Sequence, residues 1–154
     1  MIATPEILHT EAQAAAVIHL HIPRSEMMKQ FGPAVGELFA ALAAQGVVPE
    51  GAVFAHHLVM SAEFFDFELG VRVAEPVKAA GRMKPGELPS ARVARTVYTG
   101  PYEGLPGAWG DFMAWMTANG HAPAGDLWEI YTVGPQSTPD PAQWQTELYR
   151  PLKG

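Results

Sequence analysis

The sequence predicts an α+β fold: duplicated strand-helix-strand-strand units merged into an antiparallel sheet, with helices on one face and a ligand groove on the other. Three observations lead there. Apolar residues switch along the chain between period two and spacings of three and four, so strands and helices alternate. The second half repeats the first at a constant offset of 74 residues. A chain of 154 residues with 48% apolar and 17% charged content has enough apolar material for one core-bearing domain, read as a single domain of two repeats.

Residues 14–22 alternate as a strand, with Val17, His19 and His21 on one face and Ile18, Leu20 and Ile22 on the other, and Pro23 ends it. From Met28 the spacing becomes Met28, Phe31, Val35, Leu38, Leu42, the stripe of an amphipathic helix. Gly32-Pro33 is expected to split it into a loose opening turn and a regular helix, and Gly46 to stop it. Residues 53–60 and 64–73 read as two strands joined by a tight turn at Ser61-Ala62-Glu63. Residues 82–91 have the composition of a linker, placing the repeats at about 12–81 and 90–154. Then come a strand at 93–99, a Gly100-Pro101-Tyr102 turn, and a helical stripe of Leu105, Trp109, Phe112 and Met116 ended by Gly120. A strand around 127–131, a Pro-rich loop at 134–141 and a strand at 145–149 complete the chain.

The overlay sets Ala34, Gly36, Ala40, Ala44, Gly46, Pro49 and Gly51 on Ala108, Gly110, Ala114, Ala118, Gly120, Pro123 and Gly125. A gapless register through a helix, its stop and the next turn argues for duplication. The same overlay places Glu129 on Ala55 and Tyr131 on His57, so only one half carries the acid.

Composition excludes several functions. A net charge of -6, with no clustered Lys/Arg stripe, argues against direct nucleic-acid binding. The absence of cysteine excludes disulfides, thiolate nucleophiles and Cys-type zinc sites. The first residues lack the pattern of a signal peptide, and no apolar run approaches the roughly 20 residues that span a bilayer. A cytoplasmic protein without membrane contact is expected.

Glu129 is the leading functional candidate. It stands in Leu127-Trp128-Glu129-Ile130-Tyr131, sharing a strand face with Leu127 and Tyr131. A carboxylate among such neighbours is neutral, paired or ready for a cation, and a bond to a neighbouring backbone or tyrosine hydroxyl is the structural alternative.

The run from Thr99 to Leu105 (Thr-Gly-Pro-Tyr-Glu-Gly-Leu), then Trp128-Glu129-Ile130-Tyr131, then Thr146-Glu147-Leu148-Tyr149-Arg150-Pro151-Leu152 resembles the GyrI-like small-molecule-binding domains. These are also the effector-binding domains of multidrug-responsive bacterial transcription regulators. The resemblance covers essentially the whole chain and implies a groove between the repeats for bulky, flat, often cationic organic molecules, with the central acid at Glu129. It also implies two alternatives: a hydrolase opening strained cyclopropane rings of toxic electrophiles, and a protein-interaction module for a partner such as gyrase. Haem binding belongs to a more distant branch, and no cofactor is expected. The chain shows no helix-turn-helix segment, so direct transcriptional control is not expected.

Around Glu129 the candidate ligand-binding residues are Tyr131, His57, Tyr98, Tyr102 and Trp109. If the protein is an enzyme, Glu129, Tyr131 and His57 are the catalytic candidates, with Glu129 activating water. Aromatic faces near a carboxylate add roughly 0.5–2 kcal/mol of attraction for a cation. Each has a structural alternative: His57 as a core histidine, Tyr102 as packing for its turn, Trp109 as part of the helix stripe. Trp144 is a candidate lid, and one of Phe64, Phe65 and Phe67 a candidate pocket floor. His19 and His21 share a face but lack a third ligand, so no metal site is expected. Glu147 is read as a structural partner of Arg150 or Arg95.

Overall fold

A computed structural model describes residues 2–135 and 137–153, the side chains of Met28 and Met60 excepted. Met28, first in the predicted stripe, therefore lies outside the described side chains. The α+β class holds: among the described residues two α-helices and eight antiparallel strands form two compact units, residues 2–10 with 91–153, and residues 11–90.

In the unit of residues 11–90, strand β2 (Gln13–Pro23) leads through a short 3-10 turn into helix α1 (Met27–Ala44). Strands β3 (Phe54–Met60), β4 (Phe64–Arg72) and β5 (Met83–Leu88) follow, in the spatial order β3-β4-β2-β5. Leu38 and Leu42 of α1 are buried, as are Ile18, Leu20, Phe67 and Leu69 of the strands beneath. The expected split at Pro33 does not occur. Pro33 lies inside one continuous helix, and the loose opening turn falls earlier, at Arg24–Glu26. Pro33 forfeits one backbone hydrogen bond, and Ala34, Leu38 and Leu42 beyond it are buried on the same helix. The helix ends where Gly46 takes φ 68°.

The stretch read as a linker contains strand β5. Pro85 and Gly86 disguise it, and both are tolerable because β5 pairs on one side only, with β2. A proline fits an edge strand whose N–H has no ladder partner to lose. Gly86 is required sterically, since a Cβ there would come within 2.8 Å of Val17.

In the other unit, strand β1 (Glu6–Thr10), not anticipated from the sequence, pairs with β6 (Ala91–Thr99). Helix α2 (Leu105–Ala118), β7 (Leu127–Val133) and β8 (Gln145–Pro151) complete the order β1-β6-β8-β7. The two units share a strand arrangement, with β4 between β2 and β3 in one and β8 between β6 and β7 in the other. Ala108, Phe112 and Met116 of α2 pack with Ala94, Tyr98, Leu148 and Leu152. Among the described residues no helix is long and apolar enough to cross a membrane.

Candidate functional site

Glu129 lies opposite Leu148 in the β7–β8 ladder. Directly opposed residues share a face, and Leu148 belongs to the cluster packed with α2. The acid therefore stands on the face that α2 covers, not on the opposite one. It is 7% exposed. Trp109 Nε1 on α2 donates to Oε2 at 2.7 Å, and the Tyr131 hydroxyl donates to Oε1 at 2.7 Å. Both carboxylate oxygens are thus held by neutral donors, and no Lys, Arg or His is paired with Glu129 among the described residues.

Burial pushes the Glu129 pKa up, and the two hydrogen bonds oppose it by favouring the charged form. Burial, followed by the nearby Glu129 charge, carries Tyr131 well above the usual tyrosine range. Tyr102 is raised for the same two reasons in the same order. The phenols stay protonated, and Tyr131 remains a donor to the acid.

Around this carboxylate the aromatics form a chain. Tyr131 meets Tyr102 edge-on at 5.7 Å, and Tyr102 packs against Trp144 at 4.9 Å. Trp144 Nε1 donates to Thr138 O at 2.9 Å. Tyr98 is buried, and its hydroxyl donates to Pro101 O at 2.8 Å, bracing the turn that carries Tyr102. Gly100 adopts φ 142°, and side chains at Gly100 or Gly104 would strike the Tyr98 hydroxyl. The Gly-Pro-Tyr motif is thus a clasp around Tyr98.

Of the residues anticipated from sequence, Glu129, Tyr131 and Trp109 make direct contacts, Tyr102 joins through Tyr131, and Tyr98 supports the turn. His57 belongs to the other unit, on α1's face. It is 4% exposed, stacks on Phe67 at 5.0 Å and meets the ring of Phe65 at a tilt, 5.6 Å away. Burial, then the neighbouring His56 and Arg24, lower its pKa to about 4. Phe67 is wholly buried, while Phe65 carries the Arg24 guanidinium 4.4 Å above its ring. On the opposite face His19 Nε2 meets Asp66 Oδ1, and among the described residues no three His, Asp or Glu side chains converge as metal ligands.

The reverse face of the β6–β8–β7 ladder is occupied by a charge network. Arg95 contacts Glu147 at 3.1 Å, Glu6 at 3.4 Å and the Tyr149 hydroxyl at 3.2 Å, and Tyr149 stacks on Trp128. Glu147 is therefore paired with Arg95, while Arg150 instead donates to Ala124 O. Sequence reasoning passed over Thr146, whose buried Oγ1 has no hydrogen-bond partner among the described residues.

The family description "GyrI-like small molecule binding domain" matches residues 3–153. The chain belongs to this family. Among solved structures it is similar to the EcmrR C-terminal domain, at 21% identity and TM-score 0.85, covering 97% of each chain. It spans 57% of the longer EcmrR chain seen in a complex with DNA, at 19% identity and TM-score 0.85. A structure of SAV2435 bound to tetraphenylphosphonium is similar at 8% identity and TM-score 0.68, over 99% of this chain and 95% of that one. A structure described as a hydrolase from Listeria innocua is similar at 12% identity and TM-score 0.69, covering 97% and 91%. At these identities the likeness establishes the GyrI-like fold. A search of curated proteins gives no match.

Proposed function

We propose that this GyrI-like domain binds hydrophobic, often cationic, small organic molecules in the cytoplasm, for sequestration or sensing. Glu129 is the polar anchor, and Tyr131, Trp109 and Tyr102 are aromatic walls. The carrying observation is a carboxylate only 7% exposed, held by two neutral donors and paired with no protein cation among the described residues. A lipophilic cation brings the missing charge into surroundings where ring faces also attract it. The complex of SAV2435 with tetraphenylphosphonium supports this ligand class.

Fluorescence titration with a lipophilic cationic dye from pH 5 to 8 tests the reading, comparing wild type with Glu129→Gln. Saturable binding that weakens about tenfold or more in the variant is expected from losing a charge-assisted contact of about 1.5–3 kcal/mol. Equal binding by both proteins, or by neither, overturns it.

A second reading, a hydrolase of strained-ring electrophiles, draws support from the raised pKa of Glu129 and its contact with Tyr131. A buried carboxyl of raised pKa suits proton transfer at neutral pH. Turnover of such an electrophile, abolished in Glu129→Gln, separates enzyme from binder. Co-purification of a protein with no small ligand present would favour an interaction module instead.

A further inference from the structure

The two units pair their strands alike, and one position on their helix-side faces is filled very differently. In the unit of residues 11–90, Phe67 of β4 lies opposite Leu20 on one side and His57 on the other. Its ring stacks with His57 and, at 6.5 Å, with Phe31 of α1. In the other unit the corresponding place on β8 belongs to Thr146, opposite Tyr98 of β6. On its remaining side β7 bulges, as β3 does beside Phe67 between His57 and Val59. Tyr131 and Thr132 together face Thr146, between the pairs Ile130–Glu147 and Val133–Gln145. Bulges of this kind re-aim side chains and are frequent beside functional sites.

A hydroxyl and a methyl thus stand where the other unit places a phenyl ring. Thr146 is 0% exposed, and its Oγ1 has no hydrogen-bond partner among the described residues. The neighbouring Thr96, by contrast, donates to Ala3 O at 2.6 Å. An unsatisfied buried hydroxyl is destabilising, and a valine of nearly the same shape would avoid that cost. Such a group calls for a partner the fold itself does not supply.

We infer that Thr146 is a second polar contact of the Glu129 site, taking a hydrogen bond from, or giving one to, the bound molecule. The inference rests on the ligand-binding reading above. Glu129 faces Leu148, and Thr146 is two residues along β8 on the same face, a diagonal relation that spans about 7–8 Å. The favoured ligand is a flat aromatic cation with an amino, hydroxyl or carbonyl substituent at about that distance from the group held at Glu129. Because the hydroxyl is closed to solvent, the ligand displaces side chains to reach it. The half-buried pair Trp144 and Tyr102, two residues before Thr146 and beside Tyr131 respectively, is positioned to yield.

Two dyes distinguish the outcomes: ethidium, whose aromatic amines hydrogen-bond, and tetraphenylphosphonium, which has no such group. Thr146→Val is expected to weaken ethidium about fivefold, with tetraphenylphosphonium unchanged and Thr146→Ser restoring ethidium. Without ligand, Thr146→Val melts at a higher temperature than wild type. If wild type binds both dyes and Thr146→Val leaves ethidium unchanged, or weakens both alike, the role of Thr146 fails while the ligand-binding reading stands. A lower melting temperature for Thr146→Val means that the fold already satisfies the hydroxyl, and this also overturns the inference. If wild type binds neither dye, both readings fall together.

Discussion

Trp109 donates its indole N–H to Glu129 at 2.7 Å, so one hydrogen bond joins α2 to the strand carrying the acid. This bond and the one from Tyr131 favour the charged carboxylate, yet burial outweighs them and the pKa rises. A carboxyl with a raised folded-state pKa holds its proton longer in the folded than in the unfolded chain. Stability is then lost as pH climbs from the ordinary value of 4.5 through the raised one. Glu129→Gln removes that loss and can keep both contacts, its carbonyl accepting from Trp109 and its amide donating to the Tyr131 oxygen. The variant should melt higher than wild type at pH 7, with the gap closing below pH about 4.5. Melting curves across pH 3 to 8 decide it, and a gap independent of pH would mean that Glu129 titrates as it does in water.

Much of this site is readable in the sequence because its determinants are local. Alternation in residues 127–131 puts Glu129 and Tyr131 on one face, and the i, i+3, i+4 spacing puts Trp109 beside Phe112 on α2. The overlay at an offset of 74 sets Ala55 on Glu129, which marks the acid as having no counterpart in the first half of the sequence. The edge strands were hidden for different reasons. β5 contains Pro85 and Gly86, residues excluded from most strands but harmless on an unpaired edge, and β1 is only five residues long. That α2 and the acid share a face depends on which β8 residue lies opposite Glu129, a register no local pattern records. Thr146 was invisible for a related reason. Its significance comes from a bulge in β7 and from comparison with Phe67, and the constant offset of 74 does not align those two residues.

His57 shows the opposite pH behaviour to Glu129. Its buried ring, stacked on Phe67 and tilted against Phe65, is held neutral down to a pKa of about 4. Between about 6.5 and about 4 the unfolded chain takes up a proton that the folded chain refuses, so stability falls as pH falls through that window. Histidine resonances followed by NMR should show His57 untitrated at pH 5.5. In His57→Phe, stability should decline less than in wild type between pH 7 and 4. A His57 resonance titrating near pH 6.5 would show a ring open to water.

The clasp at Tyr98 makes a steric prediction independent of charge. Gly104 has an ordinary helical-region backbone, φ -85°, so alanine there meets no conformational penalty. It does meet the Tyr98 hydroxyl, which would have to leave Pro101 O. Gly104→Ala should therefore cost about 1–3 kcal/mol, the loss of a buried hydrogen bond together with local overpacking. Tyr98→Phe loses the same hydrogen bond but removes the obstructing atom. The double variant should accordingly be no less stable than Gly104→Ala alone, giving a coupling of about 1 kcal/mol in a double-mutant cycle. Denaturant unfolding of the four proteins measures it. Simple additivity would mean that Tyr98 and Gly104 do not act on one another, and the Gly-Pro-Tyr turn would lose its role as the brace for Tyr102.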